Sequence, residues 1–143
     1  MKRAIAMALI ASTLLAGHSA ARAAEAHGQS NATDPGAARS MDAPYLAVPV
    51  VRNGELVNYL FVSVRIEINQ GVDLWHTREQ AQFLRDALVR AAHANQLADA
   101  NDVNQLDQAH AIAVFRATAT QVLGARAVGR VSIISSYSSR GGG

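Results

Sequence analysis

A chain of 143 residues without a cysteine holds no disulfide and no thiolate site, and it is long enough for one hydrophobic core but not two. Half of its residues are hydrophobic and 17% are charged, with 13 basic against 11 acidic side chains. Three of the basic residues, Lys2, Arg3 and Arg22, sit in the first 22 positions, leaving 10 arginines against the 11 acids, a balance of −1 that gives no ground for nucleic-acid binding.

The chain opens Met1-Lys2-Arg3, followed by an uncharged, Ala/Leu-rich run from Ala4 to Gly17 and then by Ala21-Arg22-Ala23. A positive start, a short apolar run and small residues at the two positions a signal peptidase reads predict a secretory signal over 1–23, cleaved after Ala23. The run of 14 residues is shorter than the ~20 a spanning helix needs, so no stable membrane anchor is expected after cleavage. The expected location is the periplasm or the medium. Residues 24–44 are rich in Ala, Gly, Ser and Asn and read as a disordered tether. A single α+β domain is expected over 45–139, with a disordered tail at 140–143.

Tyr45 to Val51 reads as a strand, and Arg52-Asn53-Gly54-Glu55 as its turn. Asn-Gly between apolar runs is a strong hairpin signal, because both turn positions require φ > 0. A two-residue loop sets Arg52 opposite Glu55, Val51 opposite Leu56 and Pro49 opposite Asn58. Pro49 then lies at a non-bonded pair, its missing N–H turned outward, which makes this an edge strand. Val48 and Val50 are assigned to its less covered face.

Glu55 to Asn69 is the central strand. Leu56, Leu60, Val62, Val64, Ile66 and Ile68 line one face, interrupted only by Asn58. The other face begins apolar at Val57, Tyr59 and Phe61 and turns polar at Ser63, Arg65, Glu67 and Asn69. It is expected to be covered at the first end and wet at the second.

Gly71 marks a turn, and Thr77-Arg78-Glu79-Gln80 fits a capping box that starts a helix at Thr77. Ala81, Leu84, Leu88 and Ala91 share its apolar face. Ala98 to Asn104 breaks it with turn-forming Asp and Asn. A second helix is expected from Val103 or Gln105 to Leu123, stopped by Gly124. Arg126 to Tyr137 alternates again and forms a third strand, and Ser138 to Gly143 should fray. The predicted architecture is a small antiparallel sheet, hairpin plus C-terminal strand, packed against two helices.

Chemistry is sparse. His27, His76, His93 and His110 are scattered. Only His93 and His110 would meet, on antiparallel helices, and two histidines fall short of the three or four ligands of a zinc site. Ser132, Ser135, Ser136, Ser138 and Ser139 lack the G-x-S-x-G turn that presents a nucleophile. Arg65 and Glu67, with Arg130 opposite, read as a cross-strand ion pair. Trp75 and His76 precede the cap. No catalytic, cofactor-binding or metal-binding residue is assigned, and no cofactor is expected.

The order of elements resembles a known family. YLFVSVRIEI, then REQAQFLRDALVRAA, a second helix ending VLG, and a closing VGRVSIISSYSS are similar to the periplasmic domain of the flagellar basal-body-associated protein FliL, over Tyr45 to Ser139. The resemblance implies a stomatin-like α+β domain. It also implies a non-enzymatic role, assembly into a ring and contact with the flagellar stator. That family keeps an uncleaved transmembrane helix, whereas this chain is expected to lose its apolar run, so a soluble periplasmic relative is the expectation. The function expected is an exported interaction or assembly module with a protein partner or self-association. The alternative is a small periplasmic enzyme or ligand-binding protein.

Overall fold

The computed structural model describes residues 39–140. The expected signal segment, its cleavage site and most of the expected tether lie outside the described residues, as do Gly141 to Gly143. In chain order the elements are β1 (Ser40–Arg52), β2 (Glu55–Ile68), α1 (Leu74–Glu79), α2 (Ala81–Ala94), α3 (Gln108–Leu123) and β3 (Val128–Ser138). The sheet is antiparallel in the order β1-β2-β3, so β2 is central as its composition requires. The fold is α+β. Helix α2 packs on β1 and on α3, and α3 packs on β3, so the two long helices share one face of the sheet.

The alternation of β2 sets the core. Leu60, Val62, Val64, Ile66 and Ile68 are buried, and they meet Leu84 and Leu88 of α2 and Phe115 and Ala119 of α3. The hairpin turn takes the expected form, with Asn53 and Gly54 both at positive φ and Arg52 opposite Glu55.

Four bulges then change the phase of the strands. Val57 is an extra residue of β2 between Leu56 and Asn58. Asn58 therefore pairs with Val50, and Pro49 pairs with Tyr59 instead of Asn58. On β1, Pro44 and Tyr45 together oppose Ser63, and Tyr45 takes φ 52 with its N–H directed at Ser63 Oγ. On β3, Ile134 is extra opposite the Ser63–Val64 step, and Gly129 and Arg130 together oppose Glu67. A Cβ at Gly129 would lie 2.9 Å from Asn69 Oδ1 and 3.0 Å from the Glu67 carbonyl, which is why this bulge carries glycine.

These bulges account for several departures from simple alternation. Strand β1 begins at Ser40, five residues earlier than Tyr45, and Met41 and Ala43 are buried. The bulge at Pro44–Tyr45 lets residues 41 and 43 share a face with 46, 48 and 50. Val48 and Val50 are accordingly in the core, on the helix side, and not on a less covered face. A slip of one residue moves every later side chain across the sheet.

The helix starts also move. Asp73, not Thr77, caps α1, its carboxylate accepting from the N–H groups of Trp75 and His76. Thr77 is buried one turn in, its hydroxyl donating to the Asp73 carbonyl at 2.7 Å. The chain steps at Gln80 before α2. Asp107 caps α3, which begins at Gln108. Gly124 ends it at φ 86.

Candidate functional site

The chemistry-bearing residues of the sequence are dispersed. His93 and His110 are both exposed, and His76 pairs with Glu79 on the surface of α1. Among the described residues no group of three or more His, Cys, Asp or Glu side chains is placed to hold a metal ion. Among them, no helix is long and apolar enough to cross a membrane. Arg65 does form a cross-strand ion pair, but with Asp42 of β1. Its Nε and one terminal nitrogen each lie 2.8 Å from the two carboxylate oxygens. Asp42 belongs to the stretch whose composition predicts a tether, so the sequence does not name it as the partner.

Ser138 and Ser139 are held, not frayed. Asn58 is the polar break in the core face of β2, and it is 4% exposed. Its Nδ2 donates to the Val103 carbonyl at 2.8 Å, to Ser138 Oγ at 2.9 Å and to Asn104 Oδ1 at 3.2 Å. Its Oδ1 accepts from the Tyr59 N–H and from the Ser139 hydroxyl. The Ser139 N–H closes the sheet onto the Tyr59 carbonyl. One amide therefore ties the α2–α3 connection and the end of β3 to the central strand. This network is structural.

What remains available is surface. The sheet face opposite the helices carries an apolar end. Phe61 sits between Ala47 of β1 and Tyr137 of β3, and Tyr59 beside it faces Pro49. Phe61 is 38% exposed and Tyr137 59%. The cover expected at this end is partial: Val57 packs against the core and Tyr59 is half-buried, while Phe61 is left exposed. At its other end the same face is polar, with the Arg65–Asp42 pair, Glu67 and Ser132. Exposed aromatic rings next to one another on a sheet face are the mark of a contact surface.

A second feature is a groove of about 410 Å³ between the first half of β1 and the helices, walled by Arg78, Gln82 and Arg85. Arg85 donates to the Pro44 carbonyl at 2.6 Å, and Arg78 lies over the ring of Trp75, 5.5 Å from its centroid. Trp75 is 75% exposed. No single stretch of the chain marks this groove, because its walls come from stretches about 40 residues apart.

Comparison of the chain with family models, with curated proteins and with solved structures returned no match.

Proposed function

We propose that this chain is an exported, non-enzymatic interaction or assembly module, similar in role to the periplasmic domain of FliL, and that it assembles through the open face of its sheet. The observation that carries the reading is the uncovered ring pair Phe61–Tyr137, flanked by Tyr59, Ala47 and Pro49 across all three strands. The occupant that fits is a second copy of the same face. Three strands about 4.8 Å apart and roughly 35 Å long present about 500 Å². With side-chain relief, two such faces bury ~1,200 Å², the lower end of the range for stable interfaces. The paired charges Arg65 and Asp42 put both signs at the polar end, so an isologous arrangement meets no field of one sign.

Sedimentation tests the reading. The wild type should self-associate with rising concentration, and Phe61→Glu should sediment as a monomer with an unchanged circular dichroism spectrum. A wild type that stays monomeric at every concentration, or a Phe61→Glu variant that associates as the wild type does, sinks it.

A further inference from the structure

Strand β3 is an edge of the sheet, since among the described residues only β2 pairs with it. Its backbone groups can be assigned to a side. The Asn69 N–H donates to the Ala127 carbonyl, and the Tyr59 carbonyl accepts from the Ser139 N–H. Odd-numbered residues of β2 from 59 onward thus bond to β3, and even-numbered ones bond to β1. Ser132, Ser135 and Tyr137 stand opposite odd positions and point their backbone groups inward. Val131, Ile133, Ser136 and Ser138 stand opposite Ile66, Val64, Val62 and Leu60, and point theirs outward.

The two edges of the sheet are built differently. Strand β1 is interrupted by the bulge at Pro44–Tyr45, and Pro49, opposite Tyr59, offers no N–H on its outer side. Both devices discourage strand addition. Strand β3 carries neither a proline nor a charged residue from Val131 to Ser138. Ile134 and Tyr137 are exposed along it.

The one irregularity in this stretch selects the partner. Ile134 is the extra residue opposite the Ser63–Val64 step, so the outward residues 131, 133, 136 and 138 are spaced by two, three and two. A regular strand directs every second residue to one side and matches only half of this edge. A second β3 laid antiparallel repeats the same spacing and matches all of it. We infer that β3 pairs with β3 of a second copy about a two-fold axis between Ile134 and Ser135, joining the two sheets edge to edge. In this register Val131 meets Ser138 of the second copy and Ile133 meets its Ser136, every one of them an outward residue. Arg130 meets Ser139 and Arg140 meets Gly129, so no two cations stand opposite one another.

This surface is distinct from the face around Phe61, and the inference goes beyond that reading. Val131 to Ser138 offers eight residues a side against the roughly 20–30 of a standard interface, so the edge contact is weak by itself. It belongs to millimolar concentration and leaves Phe61→Glu a monomer in dilute sedimentation. Copies already held together by the open face would meet edge to edge at a higher effective concentration.

The test uses the full chain carrying Phe61→Glu, which removes the face contact. Amide exchange is followed by NMR as the protein is raised from micromolar to millimolar concentration. The N–H groups of Val131, Ile133, Ser136 and Ser138 should slow by about twofold or more, the factor reached when half of the copies are paired. Those of Ser132, Ser135 and Tyr137, bonded to β2 at every concentration, should not change. Ser136→Pro deletes one outward N–H and no bond to β2, and it should abolish the concentration dependence at the other three. Should its circular dichroism differ, Ile134→Lys takes its place. That change sets two ammonium groups beside the two-fold axis, and pairing should return as salt is added.

Exchange that is independent of concentration at the four amides overturns the inference. Slowing confined to Val131 and Ile133, or to Ser136 and Ser138, would mean a regular strand docked on half of the edge, and overturns it too. So does association that continues into fibres, which would mean open stacking in place of a closed pair. A wild type that stays monomeric in dilute sedimentation sinks the face reading alone, because the edge is measured without that face.

Discussion

The Asn58 side-chain carbonyl accepts a hydrogen bond from the Ser139 hydroxyl at 2.7 Å, across 81 residues of chain. The amide nitrogen of the same side chain donates to the Val103 carbonyl at 2.8 Å. A buried amide bonded on both ends costs little to desolvate, whereas its removal strands each partner it leaves. Replacing Asn58 with alanine should therefore lower the free energy of unfolding by about 2–4 kcal/mol. Urea denaturation measures it. A loss below about 1 kcal/mol would show that water replaces the amide without penalty.

Adjacent residues of β1 should respond oppositely to charge. Val48 is fully buried against the helices, whereas Ala47 lies half-buried on the open face opposite Phe61. A lysine at Val48 buries an unpaired ammonium and should cost more than about 4 kcal/mol, enough to unfold a small domain. Ala47→Lys should stay folded and weaken self-association. Val64→Asp, in the middle of β2, should fail as Val48→Lys does. Circular dichroism and sedimentation of the three variants decide it, and a folded Val48→Lys would mean the phase of β1 is wrong.

The true cap of α1 can be found by alanine substitution. Asp73 accepts from two N–H groups at 2.9 and 3.1 Å, so Asp73→Ala should destabilise by about 1 kcal/mol. Gln80→Ala, which would break a capping box led by Thr77, should change little, because no side-chain cap bond is made at Gln80. The reverse ranking of urea midpoints would restore the box.

Tyr45 holds φ 52 while 67% exposed, a backbone conformation that bulky side chains adopt at a cost and asparagine tolerates. Tyr45→Asn should raise stability by roughly 0.5–1 kcal/mol, read from the thermal midpoint. A lower midpoint would show that the exposed ring contributes more than the strain removes.

Local periodicity and turn chemistry decided most of this fold before any packing was known. From Asn58 to Ile68 a run without a glycine or proline alternates toward a core and makes β2 a strand with a defined inner face, whereas Leu56, before the Val57 bulge, is 52% exposed and not on that face. Asn53-Gly54 makes the hairpin, because two positive φ values in a row leave few other solutions. The spacing of Leu84 and Leu88 makes α2 a helix with one buried stripe. Tertiary structure decided where the alternation changes phase. A bulge is one extra residue accommodated by twist and by helix packing on the sheet, and it leaves no periodic trace; hence the sequence predicts a tether at Met41 and Ala43 and the less covered face for Val48. It also decided where the cap falls, since Asp73 and Thr77 are both capping types one turn apart, and burying Thr77 leaves the cap to Asp73. The juxtapositions that matter most, Asn58 with Ser139, Asp42 with Arg65, and the groove that sets Arg85 against Pro44, join residues 23 to 81 positions apart. Such pairings follow from strand order and register, which are properties of the whole packed chain and of no window within it.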